Sequence, residues 1–210
     1  MMDESDLKKN FDIYREIGSI GSGNAATALS QMINMRVTIE PVKTQLVPIE
    51  EVPAEIGGAE TMVMAIYQRV MGDLTGDAVY LHSQEYAKTL IRYLTSKTNI
   101  EIDDPESEDV SAYKEMANIF TGAYLNAISS LLGVMIVPSI PHYATDMLGS
   151  LIDAILAELG QKVDRVLLIK TEMTIDYKEI GGGYLMIFNP DSMERMVDLI
   201  NRKYDLDGSS

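Results

Sequence analysis

The chain repeats part of itself. The segment Glu16 to Leu29 lines up with Glu115 to Ile128 at a spacing of 99 residues. In each copy an acid is followed three positions later by a polar residue, Glu16 by Ser19 and Glu115 by Asn118, inside a run that otherwise reads as packed helix. Three residues is just under one helical turn, so the two side chains share a stripe. A further polar residue precedes each acid by four places, Asp12 in the first copy and Ser111 in the second. A packing helix that carries the same polar stripe twice constrains the fold to internal symmetry and marks the stripe as the place where function lies.

The repeat extends beyond the helices. The pattern predicts a long helix from about Asp6 to Asn34 and another from Asp104 to Leu132, each spanning ~42 Å at ~1.5 Å per residue. Asp104 is placed to cap the second, Pro105 suits a first helical position, and Gly133 is placed to end it. Stretches that read as strand plus connection follow at Val37 to Val52 and Val134 to Ile140, then strand-like runs at Thr61 to Val70 and Asp77 to His82 in one half and Arg165 to Tyr177 and Gly183 to Phe188 in the other. A short helix closes each half, Gln84 to Leu94 and Asp191 to Asn201, and the second half carries an extra helical pattern at Thr145 to Leu159, near where the first has Glu50 to Gly58. The runs Gly76 to His82 and Gly182 to Phe188 share a pattern. Consecutive strands on short turns pair antiparallel. The predicted class is α+β: one domain over 1–210, built of two halves (about 6–100 and 104–202) with pseudo-two-fold symmetry, its two long motif-bearing helices packed on an antiparallel sheet. The joint, Glu101 to Asp109, is rich in acids and reads as a solvated linker leading into a helix, and the tail from Asp205 reads as frayed.

Composition narrows the partners. The net charge of −15 opposes binding to nucleic acid or an anionic membrane, because phosphates would be repelled. No stretch of apolar residues is long enough for a membrane span, the acidic start is unlike a secretory signal, and there is no cysteine for a disulfide or thiolate site. These features point to a cytoplasmic protein whose partners are proteins or cations. Gly18, Gly21 and Gly23 lack a preceding strand and the dinucleotide spacing, so close approach of another backbone is the expectation for them. His82 and His142 have no ligand spacing and read as structural.

The chemistry open to the stripe is limited. A carboxamide cannot abstract a proton near neutral pH, so Asn118 is no general base; it can hold a water in line with an electrophile. An acid beside it can bind a cationic group and hold a partner in register. That pairing suits hydrolysis of a bond already activated, such as an acyl phosphate. It would also suit a surface that only binds.

Ser111, Glu115, Asn118 and Pro141, with 22 residues between the last two, resemble the signature of the CheC family of chemotaxis phosphatases, the group that includes CheX and FliY. In the first half Asp12 and Glu16 fit, whereas Ser19 stands where the family has asparagine and Pro41 follows after 21 residues. The resemblance covers almost the whole chain, and its two motifs make it most like a stand-alone CheC. It implies a phosphatase acting on the aspartyl phosphate of a CheY-type response regulator. Asn118 would orient the attacking water and Glu115 would contact the regulator's lysine, with Asp12, Ser111 and Pro141 supporting the motifs. Glu16 and Ser19 would form a degenerate first site that docks a partner or is inactive. No cofactor is expected on this chain, Mg²⁺ being carried by the regulator, and the deamidase CheD is an implied further partner. The alternative is a non-catalytic adaptor for CheY-phosphate or CheD, or a relative of flagellar-switch proteins.

Overall fold

Each half of the chain gives its first strand to the other. In the computed structural model, residues 4–158 and 165–207 are described, with side chains for 12–157 and 165–203. The elements run α1 (Glu4–Ile33), β1 (Val37–Pro48), a 3-10 turn (Ile49–Glu51), α2 (Val52–Ile56), β2 (Met62–Gly72), β3 (Gly76–Ser83) and α3 (Gln84–Thr95). The second half runs α4 (Glu108–Leu132), β4 (Ile136–Pro138), β5 (His142–Met147), α5 (Leu148–Glu158), β6 (Arg165–Ile175), β7 (Lys178–Phe188) and α6 (Pro190–Asp207). The antiparallel sheet has the order β1-β6-β7-β3-β2-β4, with β5 also on β2. Thus β1 pairs with β6 of the second half, and β4 and β5 pair with β2 of the first. The two outer strands hold Pro41, Pro48 and Pro138, with Pro141 in the break between β4 and β5. Proline cannot donate to a ladder, so it belongs at an edge, and there it also discourages pairing with another sheet.

The α+β class is as the sequence indicates, and several boundaries differ. The second long helix starts at Glu108, not Asp104, because the Ser107 side chain accepts from the Val110 N–H and so caps it. Gly133 ends it in the left-handed conformation at φ 67°. Thr145 to Met147 belong to β5, so the extra helix begins only at Leu148; its predicted last residue, Leu159, lies outside the described residues. The stretch Val37 to Val52 is strand as far as Pro48 and then connection into α2, as its pattern suggests, whereas the tail read as frayed continues α6 at Asp205 to Asp207, its last three residues lying outside the described ones. The acidic joint is not wholly solvated. Asp109 is buried, accepts the Glu101 N–H at 2.8 Å and pairs with Lys97 at 3.1 Å. The Glu101 N–H foremost, and then Lys97, hold its carboxyl below the usual carboxylate range.

The strand registers define which residues correspond. Along β2 and β6 the burial patterns coincide: Met62 and Arg165 are exposed, the next four residues are buried, and a buried polar residue follows, Gln68 in one and Thr171 in the other. The edges agree. Pro41 faces Thr171, and continuing the Tyr67–His142 register by one residue sets Pro141 beside Gln68. Gln68 pairs with Ala78 and Thr171 with Gly182, so Ala78, not Gly76, corresponds to Gly182. The glycine-based alignment of those runs is therefore two residues out of register. The pseudo-two-fold passes through Tyr80 and Tyr184, which face each other across β3 and β7.

One sheet face is covered by α1, α3, α4 and α6, the other by α2 and α5 with the 3-10 turn. Tyr80, Phe120, Tyr124 and Tyr184 form a buried aromatic chain under the long helices, with neighbouring ring centroids 4.5, 4.9 and 4.9 Å apart. Each such ring contributes about 1.5–3 kcal/mol through burial. Gly21 is small because the Tyr124 ring lies against it; a Cβ there would sit 2.4 Å from Cδ1. A Cβ on Gly18 would sit 2.5 Å from Thr44 Oγ1, and one on Gly23 would meet nothing within 4 Å. Side chains, not the expected backbone, therefore account for two of the three glycines. Next to Gly21, Ser22 Oγ and Tyr124 OH share a buried hydrogen bond of 2.7 Å that joins α1 to α4.

His82 is structural, as its isolation in the sequence suggests. The Tyr113 hydroxyl donates to the Met64 carbonyl at 3.4 Å, so at 3.0 Å it accepts from His82 Nδ1. Burial pushes the imidazole pKa down from 6.5 to about 3.

Two predictions follow from this packing. Gly21→Ala should destabilise the fold by about 1–3 kcal/mol, whereas Gly23→Ala should be neutral or stabilise it by up to about 1 kcal/mol, read by thermal or urea denaturation. Because the folded pKa of His82 is depressed, its contribution is complete above pH 6.5 and is lost as pH falls toward about 3. Between pH 6.5 and 5, above most carboxylate titration, urea unfolding should show stability falling by up to about 1.4 kcal/mol per pH unit, and His82→Phe should flatten that slope.

Candidate active site

The long helices turn their apolar faces to the sheet and leave the polar stripes outward. On α4, Met116, Ala117 and Phe120 are buried while Ser111 and Glu115 are exposed and Asn118 is half-buried at the margin. On α1, Ile13, Tyr14 and Ile17 are buried while Asp12, Glu16 and Ser19 are exposed. The helical period explains both: the acid lies one residue from the core stripe on each helix, held out by the apolar residues beside it.

The second stripe is tied to the sheet. Gln68, only 1% exposed, donates from Nε2 to Asn118 Oδ1 at 2.9 Å and to the Ser139 carbonyl at 2.9 Å. These contacts fix the orientation of both carboxamides. A carbonyl oxygen can only accept, so the Gln68 atom facing Ser139 is its NH₂ group, and the atom of Asn118 facing that same NH₂ group is oxygen. Asn118 is thereby held by its oxygen, with its own NH₂ directed away from Gln68. Ser139 is itself fixed on β2: its N–H donates to the Arg69 carbonyl at 2.8 Å and its hydroxyl accepts the Arg69 N–H at 2.9 Å. Pro141 lies two residues on, half-buried in the break between β4 and β5, next to Ile140, which is 75% exposed.

The first stripe borders an open cleft of about 590 Å³ lined by Asp12, Arg15, Glu16 and Ser19 of α1 and by Pro41 to Gln45 of β1. At Pro41 to Lys43 the β1 register shifts, leaving Val42 as a bulge residue that is 53% exposed. Lys43 is bound to Glu55 at 2.8 Å. Among the described residues, no three of His, Cys, Asp and Glu gather where they could hold a metal ion.

Gln68 therefore ties Asn118 to the stretch that holds Ser139 and Pro141, with Glu115 and Ser111 on the same helix as Asn118, while Asp12, Glu16 and Ser19 share the open cleft. Gln68 and Ser139 were not singled out from the sequence. A signal for Gln68 exists: Met64, Ile66 and Val70 place position 68 on the inward face of β2, where a polar residue interrupts an apolar alternation. Ser139 reaches Gln68 through its backbone carbonyl, which leaves no mark on residue type; only its hydroxyl on the Arg69 N–H does.

The family described as CheC-like matches residues 7–41. The chain is 31% identical over 193 residues to the CheY-P phosphatase CheC of Bacillus subtilis strain 168, covering 90% of this chain and 92% of that protein. Its fold resembles Thermotoga maritima FliY at a TM-score of 0.68 and 16% identity, covering 97% and 99% of the two chains. It also resembles a chain of the FliM–SpeE complex from H. pylori at a TM-score of 0.66 and 15% identity, covering 96% and 97%.

Proposed function

The chain belongs to the CheC-like family, and from that membership and the geometry of its second stripe we propose that it hydrolyses the aspartyl phosphate of a CheY-type response regulator. The observation that carries the reading is Asn118: a carboxamide at the helix surface, fixed through its oxygen and three residues from an exposed acid. Water needs little activation to attack an acyl phosphate, because its leaving group is a carboxylate; what it needs is alignment. Asn118 positions that water. The water oxygen forms a bond to phosphorus as the bond from phosphorus to the regulator's aspartyl oxygen breaks, releasing carboxylate and inorganic phosphate, with the excess proton passing to phosphate oxygens or solvent. Glu115 takes a cationic group of the regulator, its lysine by family resemblance, and sets the register. Mg²⁺, which the family resemblance implies on the regulator and not on this chain, would supply charge neutralisation there.

The first stripe keeps the docking acid Glu16 without a water-holding amide, since the Ser19 hydroxyl is shorter than a carboxamide by more than a bond length. We assign it to docking, with hydrolysis confined to the second site. The apolar Ile140 and Val137, 75% and 50% exposed, give the second site a rim suited to a protein partner. Binding to CheD and a cytoplasmic location belong to this reading; among the described residues no helix is long and apolar enough to cross a membrane.

The test is the decay of a phosphorylated CheY-type regulator in the presence of the chain. Asn118→Ala should lower kcat by about a hundredfold or more with KM little changed, and Glu115→Ala should act chiefly on kcat/KM, by roughly tenfold or more. If the unaltered chain binds the phosphorylated regulator and leaves its decay unchanged, it is an adaptor on this fold.

A further inference from the structure

The structure assigns Gln68 of β2 as the positioning residue that makes Asn118 competent, an inference that rests on the reading of Asn118 as the water-orienting group. A carboxamide on a helix surface has two freely exchangeable ends, and either oxygen or NH₂ can point outward. Gln68 removes that ambiguity, because the Ser139 carbonyl already fixes which of its own atoms is the donor. With one Gln68 proton on Ser139 and the other on Asn118 Oδ1, the Asn118 amide is held in one orientation. A regulator arriving at α4 therefore meets one arrangement of donors and acceptors and does not have to select it from two.

The second half of the argument comes from the repeat. Gln68 corresponds to Thr171 on β6, and Asn118 corresponds to Ser19 on α1. Both members of the amide pair are thus hydroxyl residues in the other half, although Asp12 and Glu16 of the same stripe are retained. Thr171 is 3% exposed and Gln68 1%, so each is a polar residue on an inward face that otherwise holds Leu167, Ile169 and Met173, or Met64, Ile66 and Val70. A packing role alone would be served by an apolar side chain in either place. Gln68 moreover keeps its own Oε1 buried with no hydrogen-bond partner among the described residues. An apolar substitute would remove that unsatisfied atom as it removes two hydrogen bonds, so the two effects on stability oppose each other.

The experiment compares kcat and KM for a phosphorylated CheY-type regulator among the unaltered chain, Gln68→Met, Gln68→Thr and Asn118→Ala, with the melting temperature of each. Gln68→Thr installs the residue that this sheet already accepts at the corresponding place, so it serves if the methionine variant fails to fold. The expected result is a kcat lowered by roughly tenfold or more for both Gln68 variants, with KM within about twofold and the melting transition retained, since Glu115 and the docking face are untouched. If Asn118→Ala loses activity while the Gln68 variants keep kcat within about twofold, Gln68 is a packing residue and the inference is wrong with the catalytic reading intact. If Asn118→Ala itself keeps the unaltered kcat, the reading of Asn118 falls and the inference with it. A rise in KM with kcat unchanged would place Gln68 in docking, which also overturns it.

Discussion

The contact of α1 and α4 with the aromatic chain on the sheet is the constraint on which the rest depends. Gly21 admits the Tyr124 ring between the helices, and Ser22 and Tyr124 fasten them. Phe120 and Tyr124 reach down to Tyr80 and Tyr184, the pair on the pseudo-two-fold. Several fully buried rings at about 1.5–3 kcal/mol each outweigh any single polar contact at the surface. The rotation of each helix about its axis is therefore set by its apolar side. Once it is set, the period of the helix fixes where the acid and the residue three positions later must emerge. The sites are consequences of the core.

The exchange of edge strands completes the second site from the opposite half. The second stripe lies on α4, its anchor Gln68 on β2, and the carbonyl that fixes Gln68 on the stretch between β4 and β5. Neither half alone can build it. The same exchange gives the first stripe a different neighbour, because β1 stays continuous through a bulge at Val42 where the other edge breaks between β4 and β5. Ser19 and Thr171 are both hydroxyl residues where the second half has an amide pair, as expected if either amide without the other has no defined orientation to offer.

Much of this was legible in the sequence because it is periodic. The repeat, the two long helices, the antiparallel pairing and both polar stripes follow from spacing, and the helix patterns put Glu16, Glu115 and Asn118 at the margin of the core. The misses have physical causes. Asp104 and Pro105 make a good helix start, but Ser107 lies close enough to cap as well, and the Glu101 N–H and Lys97 gather Asp109 inward. Thr145 to Met147 carry no residue that forbids a helix, and only pairing with β2 makes them a strand. The glycines of β3 and β7 invited an alignment two residues out of register because they are small for unrelated reasons: Gly76 meets the Ile187 carbonyl and Gly182 the His82 ring. Gln68 escaped notice because a lone polar residue in a strand gains meaning only when the helix above it is in place.

The central claim is that chemistry is confined to the half in which the amide pair survives. The most direct measurement is the rate of phosphate loss, at saturating phosphorylated regulator, from a chain whose first stripe is erased by Asp12→Ala, Glu16→Ala and Ser19→Ala together. The account predicts a kcat within about twofold of the unaltered chain. A fall to the regulator's own rate of decay would mean that the first stripe performs the hydrolysis and that the Asn118–Gln68 pair is not the catalytic arrangement.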